Sequence, residues 1–337
     1  MLTFHPLILR RRAAVAEDAV CLELEAPAAV AERYRYEAGQ HLAVRAVVNG
    51  RELRRTYSLV APAGKTLRLG VRVQGAMSRY LAHDLPLGGT LEAMEPSGRF
   101  KSARAEGGGR RYVALAAGSG ITPVLSIVAT ILGTEPDARV TLIYGNQSVT
   151  RTMFLDEVLD LKNRYMSRLS VQFVLSREPQ EVDLFNGRLD GARLRALALT
   201  EFDPKAIDEY FICGPGSMVK DLTATLRELG ATGRIHFERF AVDAASSPAA
   251  EIPRPAEVSG AGEHVQVSVT MDGRRRNFSM PKGGLVLEAA EKAGLALPYS
   301  CRAGVCSTCR VRVVDGAVTM DRNQALEDWE VQAGYVL

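Results

Sequence analysis

Three cysteines near the C-terminus are spaced to hold an iron–sulfur cluster. Cys301, Cys306 and Cys309 form a C-x4-C-x2-C run, and thiolates at this spacing bind [2Fe–2S] clusters of the plant type. Gly304 lets the loop bend and turn backbone N–H groups towards the cluster sulfurs. Such a cluster carries one electron at a time, so the preceding chain is expected to supply single electrons. The fourth thiolate is expected about thirty residues after the third, just beyond Leu337.

A zinc site and three ordinary buried cysteines are the alternative interpretations of this run. Zinc sites usually combine two C-x2-C pairs or mix cysteine with histidine. The sequence has no second pair, and the nearest histidine, His264, lies far upstream. The pattern therefore favours the iron–sulfur interpretation.

Four consecutive residues, Arg55-Thr56-Tyr57-Ser58, have the chemistry to bind a flavin nucleotide. An arginine offers a pyrophosphate a fixed fork of donors. The Tyr57 ring can stack on an isoalloxazine, and the Ser58 hydroxyl can hydrogen-bond near its N5. Alone, the four residues would also suit an ordinary exposed strand. They resemble the Arg-x-Tyr-Ser motif of the ferredoxin–NADP+ reductase superfamily, which implies bound FAD with Thr56 also in its site.

Gly75-Ala76-Met77-Ser78 resembles the second flavin-phosphate segment of that superfamily. Its backbone N–H groups are expected to face an anion at the start of a helix. The resemblance implies further cofactor contacts from Val71 and Val73, which lie just before this segment.

The segment Gly118-Ser119-Gly120-Ile121-Thr122-Pro123 follows a predicted strand and opens a predicted helix. Its glycines allow the backbone to approach a dinucleotide pyrophosphate at the positive end of the helix. It departs from G-x-G-x-x-G because Pro123 replaces the last glycine, and proline is a normal residue at a helix start. It resembles the superfamily motif Gly-x-Gly-(Ile/Leu)-(Ala/Thr)-Pro, which implies that Thr122 lies near the nicotinamide and the flavin.

Cys213-Gly214-Pro215-Gly216-Ser217-Met218 resembles the Cys-Gly-Pro motif of the same superfamily. It follows a later predicted strand, and nucleotides bind in the crevice outside the carboxyl ends of such strands. Cys213 is expected to face the nicotinamide, with Gly214, Pro215 and Met218 lining the nucleotide site. The alternative for Cys213 is a small buried apolar residue.

The pair Ser176-Arg177 should determine whether the protein prefers NADPH or NADH. A hydroxyl and a guanidinium after this strand resemble the pair that grips the 2′-phosphate of NADPH in plant-type reductases. Glu178 is adjacent, and Arg177 has the alternative of being an ordinary surface residue. The sequence favours NADPH over NADH.

The elements that must position these residues fall into three groups. Short alternating runs in the first hundred residues predict an antiparallel barrel. Apolar strands alternating with helical patterns then predict a parallel sheet covered by helices on both faces. The order around the cysteines is that of a β-grasp ferredoxin. The predicted strands are 19–24, 41–47, 54–60, 66–73, 112–117, 140–144, 169–175, 210–213, 235–237, 264–271, 276–280 and 310–314, and the predicted helices are 122–132, 153–163, 193–199, 217–229, 285–292 and 325–332.

The expected class is thus a multidomain α+β protein. We expect a flavin-binding barrel in residues 1–106, a nucleotide-binding α/β domain in 107–240, a linker in 241–262 and a ferredoxin domain in 263–337. The linker is predicted from its Ala, Ser, Pro and Gly content without a periodic apolar face.

Composition excludes several other classes. The net charge of +3 on 337 residues is too small for a nucleic-acid-binding surface. The longest apolar stretch is broken by Gly118, Gly120 and Pro123, so no membrane span is expected. Only Cys21 and Cys213 lie outside the cluster loop, which indicates free thiols and a cytoplasmic location.

The order of the three domains resembles the reductase components of bacterial multicomponent oxygenases, and most closely the reductase subunits of phenylacetyl-CoA epoxidases. The resemblance is carried by segments such as 4–7, 34–36, 54–58, 142–146, 236–240 and 334–337. It implies an NADPH-dependent oxidoreductase that passes electrons through FAD and [2Fe–2S] to a diiron mono-oxygenase component.

The open alternatives are a reductase of a steroid 9α-hydroxylase or an aromatic-ring hydroxylase, a cluster-free NAD(P)H flavoprotein dehydrogenase, and a zinc-stabilised binding module. Phe240 is expected either to cover the flavin or to lie in the core. Glu327, Asp328 and Glu330 are expected either to steer a basic partner or to form a solvated helix face.

Overall fold

The structure is a computed structural model that describes residues 3–64, 66–102, 109–240 and 264–337. The expected linker at 241–262 and the expected boundary between residues 106 and 107 lie outside these described residues. The described chain contains a six-stranded antiparallel sheet, a five-stranded parallel sheet and two smaller two-stranded ladders. The predicted fold class is confirmed.

The first sheet curls into a barrel around an apolar centre. Its strands lie in the order β4-β3-β6-β1-β2-β5. The two edges meet where Leu59 bridges Leu69 and the Val60 N–H donates to the Arg68 carbonyl at 2.9 Å. The strands are β1 (His5–Ala16), β2 (Ala19–Glu25), β3 (His41–Val48), β4 (Arg51–Ser58), β5 (Leu67–Arg72) and β6 (Thr90–Ala93).

Two barrel strands, β1 and β6, were not expected from the sequence. β1 carries three consecutive arginines from Arg10 and has register irregularities near Leu9 and Ala14, which interrupt the alternation that marks a strand. β6 has only four residues. Because both strands lie in the middle of the sheet, pairing with neighbours on each side compensates for their weak local signal.

The parallel sheet has the order β11-β10-β7-β8-β9, with apolar clusters on both faces. Along β7, Tyr112 and Ala114 face the cluster around α2, whereas Val113 and Leu115 face α4 and α5. This alternation places helices on both sides, as expected. The elements are β7 (Arg111–Ala117), α2 (Ile121–Thr134), β8 (Arg139–Asn146), α3 (Leu155–Arg164), β9 (Leu169–Leu175), α4 (Gly191–Ala198), β10 (Glu209–Pro215), α5 (Gly216–Glu228) and β11 (Arg234–Phe240), with the single-turn α1 (Ala76–Arg79) preceding them in the barrel.

The last part is built from a hairpin, a helix and the cysteine loop. Phe278, Met280 and Ala290 form its small core, where the hairpin packs on the helix. The chain then passes through the loop to a short ladder near its end. The elements are β12 (His264–Met271), β13 (Arg274–Pro281), α6 (Val286–Lys292), β14 (Val311–Arg312), α7 (Asp328–Gln332) and β15 (Tyr335–Val336).

The barrel and the parallel sheet form a close junction. A Cβ on Gly70 of β5 would overlap the Thr122 methyl group of α2 and the Phe154 ring. The Ser126 hydroxyl of α2 donates to the Ala61 carbonyl at 2.6 Å. This junction brings the carboxyl ends of the parallel strands close to the barrel, which forms one side of the crevice. No described helix is long and apolar enough to cross a membrane.

Candidate functional site

The predicted flavin motif lies at the end of β4. Arg55 is exposed, and among the described residues it has no carboxylate partner, because its guanidinium bonds the Arg54 carbonyl at 2.7 Å. Its remaining donors suit a phosphate. Tyr57 packs partly against the barrel core, and burial raises the pKa of its hydroxyl. Ser58 is 4% exposed.

The second flavin segment forms α1, whose start is closed by a side chain. The Ser78 hydroxyl accepts hydrogen bonds from the Gln74 and Gly75 N–H groups, both at 2.9 Å. Open space lies beside Gly75, where a Cβ would meet nothing within 4 Å. Met77 is buried in the barrel core. An anion at this segment would therefore meet backbone of α1 rather than the Ser78 hydroxyl.

Of the two valines expected at the cofactor, Val71 is fully buried in the barrel core, and Val73 is half-buried beyond the end of β5. The Val73 N–H donates to the Asp18 carbonyl at 2.8 Å. A contact from Val71 to a cofactor would have to come from its backbone.

The glycine segment makes a tight turn between β7 and α2. Gly118 has φ +54°, and no atom lies within 4 Å of the place its Cβ would take. A Cβ on Gly120 would overlap the Cys213 carbonyl oxygen. Glycine is thus required twice, for the turn at one position and for the close approach of β10 at the other. The open side of the turn is where a pyrophosphate would lie.

Thr122 and Pro123 lie in the first turn of α2, and both are buried. The Thr122 hydroxyl donates to the Ser119 carbonyl at 2.9 Å, and its methyl group points at Gly70. The side chain therefore holds the turn against the barrel.

The Cys-Gly-Pro segment ends β10 beside the glycine turn. Cys213 is fully buried, and burial, reinforced by Glu238, raises the pKa of its thiol well above the usual range. The thiol is therefore neutral. A Cβ on Gly214 would meet the Met218 methyl group at 2.6 Å, so Gly214 and Met218 pack directly together. Pro215 is half-buried at the start of α5.

Ser176 and Arg177 follow β9 at the sheet edge. Their N–H groups donate to the carbonyls of Asn146 at 3.0 Å and Gln147 at 2.8 Å, which fixes the backbone of this corner. The Glu178 carboxylate is held by the Val149 backbone, because it accepts a hydrogen bond from the Val149 N–H at 2.8 Å. Arg177 is exposed and has no carboxylate partner among the described residues.

Sequence reasoning missed Arg188 at the same corner. Asn186 forms a parallel bridge with Leu175, and the Gly187 N–H donates to the Leu175 carbonyl at 2.7 Å. Arg188 follows two residues after Asn186 and so lies near the end of β9, as Arg177 does. Arg188 is exposed and without a carboxylate partner in the described part of the chain. No local motif marks it, because the pairing depends on a bridge across eleven residues.

Glu238 is a second residue that sequence reasoning did not single out. It pairs in register with Cys213, and its Oε1 lies 3.6 Å from Nδ1 of the buried His41 in the barrel. Its other oxygen is buried and has no hydrogen-bond partner among the described residues. A buried polar atom without a partner is a place where a ligand can bond. Phe240, two residues on, is half-buried and packs against the core around α2.

The cysteine loop is shaped around its sulfur atoms. Cys301 Sγ accepts the N–H groups of Ala303 at 3.3 Å and Val305 at 3.5 Å. The neighbouring Cys306 thiol, together with these N–H groups, lowers the pKa of Cys301 below its usual value. Gly304 has φ +71°, and a Cβ there would lie 2.6 Å from the Arg322 carbonyl oxygen. The loop therefore stabilises an anionic sulfur with backbone donors.

These observations fit the three groups that the sequence implies. The remaining donors of the Arg55 guanidinium suit a flavin phosphate, and the open turn at Gly118 suits a pyridine dinucleotide. The half-buried, unbridged cysteines and their backbone donors suit [2Fe–2S]. No three Cys, His, Asp or Glu side chains of the described residues are placed to hold a single metal ion. A binuclear cluster divides its thiolates between two irons.

One expectation is wrong. Glu330 was expected on an exposed acidic face with Glu327 and Asp328, but it is fully buried and ion-paired with Arg99 and Arg310. Glu327 and Asp328 are exposed. The acidic residues alternate around a one-turn helix, so only tertiary packing determines which of them is covered.

Comparison with known families agrees with this architecture. Residues 6–102 match the oxidoreductase FAD-binding domain, residues 114–224 the oxidoreductase NAD-binding domain, and residues 269–337 the 2Fe-2S iron-sulfur cluster binding domain. Fold and site thus define an oxidoreductase with flavin, pyridine-nucleotide and iron–sulfur domains in one chain. The chain belongs to the ferredoxin–NADP+ reductase family that carries a C-terminal plant-type [2Fe–2S] domain.

Individual relatives extend over nearly the whole chain. One subunit of the 1,2-phenylacetyl-CoA epoxidase of Escherichia coli strain K12 is 40% identical, over 100% of this chain and 94% of the relative. The ferredoxin reductase component of the 3-ketosteroid-9-alpha-monooxygenase of Mycolicibacterium smegmatis is 32% identical, over 91% of this chain and 84% of the relative. The solved structure of phthalate dioxygenase reductase is similar to this chain with a TM-score of 0.59 and 22% sequence identity. The aligned region covers 99% of this chain and 93% of the phthalate dioxygenase reductase chain.

Proposed function

We propose that this protein is the NADPH-dependent reductase of a multicomponent mono-oxygenase of the phenylacetyl-CoA epoxidase type. The carrying observation is the 40% identity to one component of a phenylacetyl-CoA epoxidase across the whole chain, cluster loop included. When bound, FAD would take two electrons from the nicotinamide, and the iron–sulfur cluster would pass them on singly to the oxygenase component, proposed to be a diiron protein.

The residues of this chain bind and orient rather than transfer protons. Arg55 and the backbone of α1 would hold the flavin phosphates, while Tyr57 and Ser58 would lie along the ring. The turn at Gly118 would hold the dinucleotide phosphates, and the buried, neutral thiol of Cys213 would lie behind the nicotinamide site. Hydride transfer between two such rings needs no protein acid or base, so positioning is the contribution of the protein.

The corner after β9 supports NADPH rather than NADH. A 2′-phosphate would meet the Ser176 hydroxyl and the guanidinium groups of Arg177 and Arg188. The neighbouring Glu178 does not oppose it, since its carboxylate is held by the Val149 N–H at 2.8 Å. Two arginines without carboxylate partners among the described residues favour a doubly charged anion.

Replacing Arg177 by alanine tests this corner. A hydrogen bond to a charged group contributes about 1.5–3 kcal/mol, so R177A should raise KM for NADPH about 10- to 100-fold and leave KM for NADH nearly unchanged. The matched control is R195A, since Arg195 is exposed on α4 and pairs with Glu228 away from this corner. An equal effect of R177A on both nucleotides would contradict the proposal.

Reconstitution tests the oxygenase partner. The holoprotein is mixed with the oxygenase component of a phenylacetyl-CoA epoxidase or of a 3-ketosteroid 9α-hydroxylase, and NADPH-driven product formation is measured. Turnover confined to the epoxidase is expected. Turnover with the steroid hydroxylase alone would replace the proposed partner by the alternative.

The visible spectrum tests the cluster. Flavin bands above a broad iron–sulfur background, both bleached by anaerobic NADPH, are expected of the holoprotein. Flavin bands without that background would favour the alternative of a cluster-free flavoprotein dehydrogenase. Cys301, Cys306 and Cys309 are the proposed ligands from this segment of chain.

We also propose domain limits at 1–106, 107–240 and 263–337, joined by a linker at 241–262. The three family matches fall within these limits. A cytoplasmic location is proposed because Cys21 and Cys213, the two cysteines outside the cluster loop, form no disulfide.

A further inference from the structure

The flavin motif and the cysteine loop touch each other directly. The Thr56 hydroxyl donates to the Ser300 hydroxyl at 2.8 Å, across 244 positions of sequence. Thr56 lies between Arg55 and Tyr57 on β4, and Ser300 immediately precedes Cys301. Ser300 is 4% exposed, so this bond is partly shielded from water. A single hydrogen bond therefore joins the strand proposed to carry the flavin to the loop proposed to carry the cluster.

A second contact adjoins the first. The Arg54 guanidinium lies over the Tyr299 ring, 4.1 Å from its centroid, while Arg302 lies over the same ring at 4.2 Å. Arg54 and Thr56 are two residues apart on one strand, so they present their side chains on the same face. Tyr299 and Ser300 meet that face together. The contact thus fixes orientation as well as distance.

A third contact between the two domains involves α7. Glu330 is fully buried between Arg310 of its own domain, at 2.9 Å, and Arg99 of the segment that follows the barrel. We call these three residues the Glu330 ion cluster. Burying a carboxylate is unfavourable unless its charge is compensated. Since Arg99 supplies part of that compensation, the Glu330 ion cluster favours the state in which the ferredoxin domain rests on the barrel.

We propose that Ser300 and Thr56 are positioning residues for the passage of electrons from the flavin to the cluster, and that the Glu330 ion cluster holds the two domains together while this occurs. The inference rests on the proposed function. Each event moves one electron from the reduced flavin to the oxidised cluster, and no bond is made or broken. Because electron transfer slows steeply with distance, holding the cluster loop against β4 governs the rate.

The test uses the FAD- and cluster-loaded full chain with three variants. S300A removes the hydroxyl, S300T keeps one, and R99Q removes the charge of Arg99 from the Glu330 ion cluster. The matched control is R33Q, because Arg33 lies on the same barrel in an exposed ion pair with Glu95. NADPH-driven reduction of cytochrome c reports electrons that leave through the cluster, and reduction of ferricyanide reports electrons taken from the flavin. Hydrogen–deuterium exchange of residues 299–310 reports the contact itself without turnover.

S300A should slow cytochrome c reduction about 3- to 10-fold, the range that one hydrogen bond contributes to an equilibrium, and R99Q should slow it at least as much, because it removes a charge that compensates a buried carboxylate. Both should speed exchange in 299–310 and leave ferricyanide reduction unchanged. S300T should restore both values towards those of the wild type, and R33Q should match the wild type throughout. The iron–sulfur absorbance of each variant shows that the cluster is loaded.

Two results would overturn the inference, and they differ. If the wild type reduces cytochrome c while S300A and R99Q behave like R33Q in both exchange and turnover, the positioning role is wrong and the proposed function stands. If the wild type itself passes no electrons through a loaded cluster, the proposed function fails and the inference fails with it.

Discussion

Replacing Glu209 by glutamine tests how far the nucleotide-binding sheet depends on one buried charge. The Glu209 side chain is 2% exposed at the start of β10. One oxygen lies 2.7 Å from His236 Nε2, and the other pairs with Arg110 and lies 3.3 Å from the Ser102 hydroxyl. E209Q keeps the shape and removes the charge. Breaking a buried ion pair in this way should lower the free energy of opening by about 3–5 kcal/mol, because Arg110 then faces a neutral amide in a largely buried position.

The assay is native-state hydrogen exchange of the β10 amides in the flavin-loaded full chain. Three domains need not unfold in one step, so a local opening free energy is a better measure than one melting temperature. The control is E228Q, the same substitution in the exposed ion pair between Glu228 of α5 and Arg195. Losing this pair is expected to lower the opening free energy by less than about 1 kcal/mol. If E209Q opens β10 no more easily than E228Q does, the reasoning about the buried charge is refuted.

The same substitution has a predictable pH dependence. Burial raises the pKa of Glu209, but the hydrogen bonds from His236 and Arg110 outweigh it and hold the pKa below its ordinary value. The stabilisation by Glu209 is therefore complete above the pKa of an unfolded glutamate, about 4.3, and is lost as the pH falls through the lower folded value. The difference in opening free energy between wild type and E209Q should shrink on acidification through this window. A difference that grows there would contradict the assignment.

Three further outcomes are expected. G120A should weaken NADPH binding at least tenfold by titration, because its Cβ would overlap the Cys213 carbonyl; unchanged affinity would contradict the close approach. G304A should lose iron–sulfur absorbance and keep its flavin bands, since φ +71° and the Arg322 carbonyl at 2.6 Å both oppose a side chain; an intact spectrum would count against this loop geometry. Cys21 and Cys213 should resist a thiol reagent in the folded holoprotein and react after unfolding, because burial raises the pKa of Cys21 to about 11 and that of Cys213 well above the usual range; rapid labelling of either thiol in the native state would refute it.

Most of the parallel sheet follows from local sequence. Each of its five strands and four helices was expected within a few residues of its observed place, because most of the strands are short apolar runs and the helices between them are periodic. The barrel was less predictable. β1 and β6 lack clear alternation and are stabilised by neighbours that are distant in sequence, such as Leu7 opposite Leu91.

Some residues of the candidate site were likewise predictable from the sequence, and others were not. Arg55, Gly118 and Cys301 lie in motifs whose residue types and spacing carry their chemistry, and they could be identified without a structure. Arg188 and Glu238 have no such motif. The bridge between Asn186 and Leu175 brings Arg188 near the end of β9, and pairing in register places Glu238 beside Cys213.

The sequence by itself determined the three domains, their order and the residues suited to a flavin, a pyridine nucleotide and an iron–sulfur cluster. These depend on turn glycines, ligand spacing and periodicity, which act over a few residues. Tertiary structure alone decided that Glu330 is buried rather than exposed, and that Thr56 meets Ser300. Both depend on one domain covering another, and which surface is covered is set by complementary charge and shape across more than two hundred residues of chain.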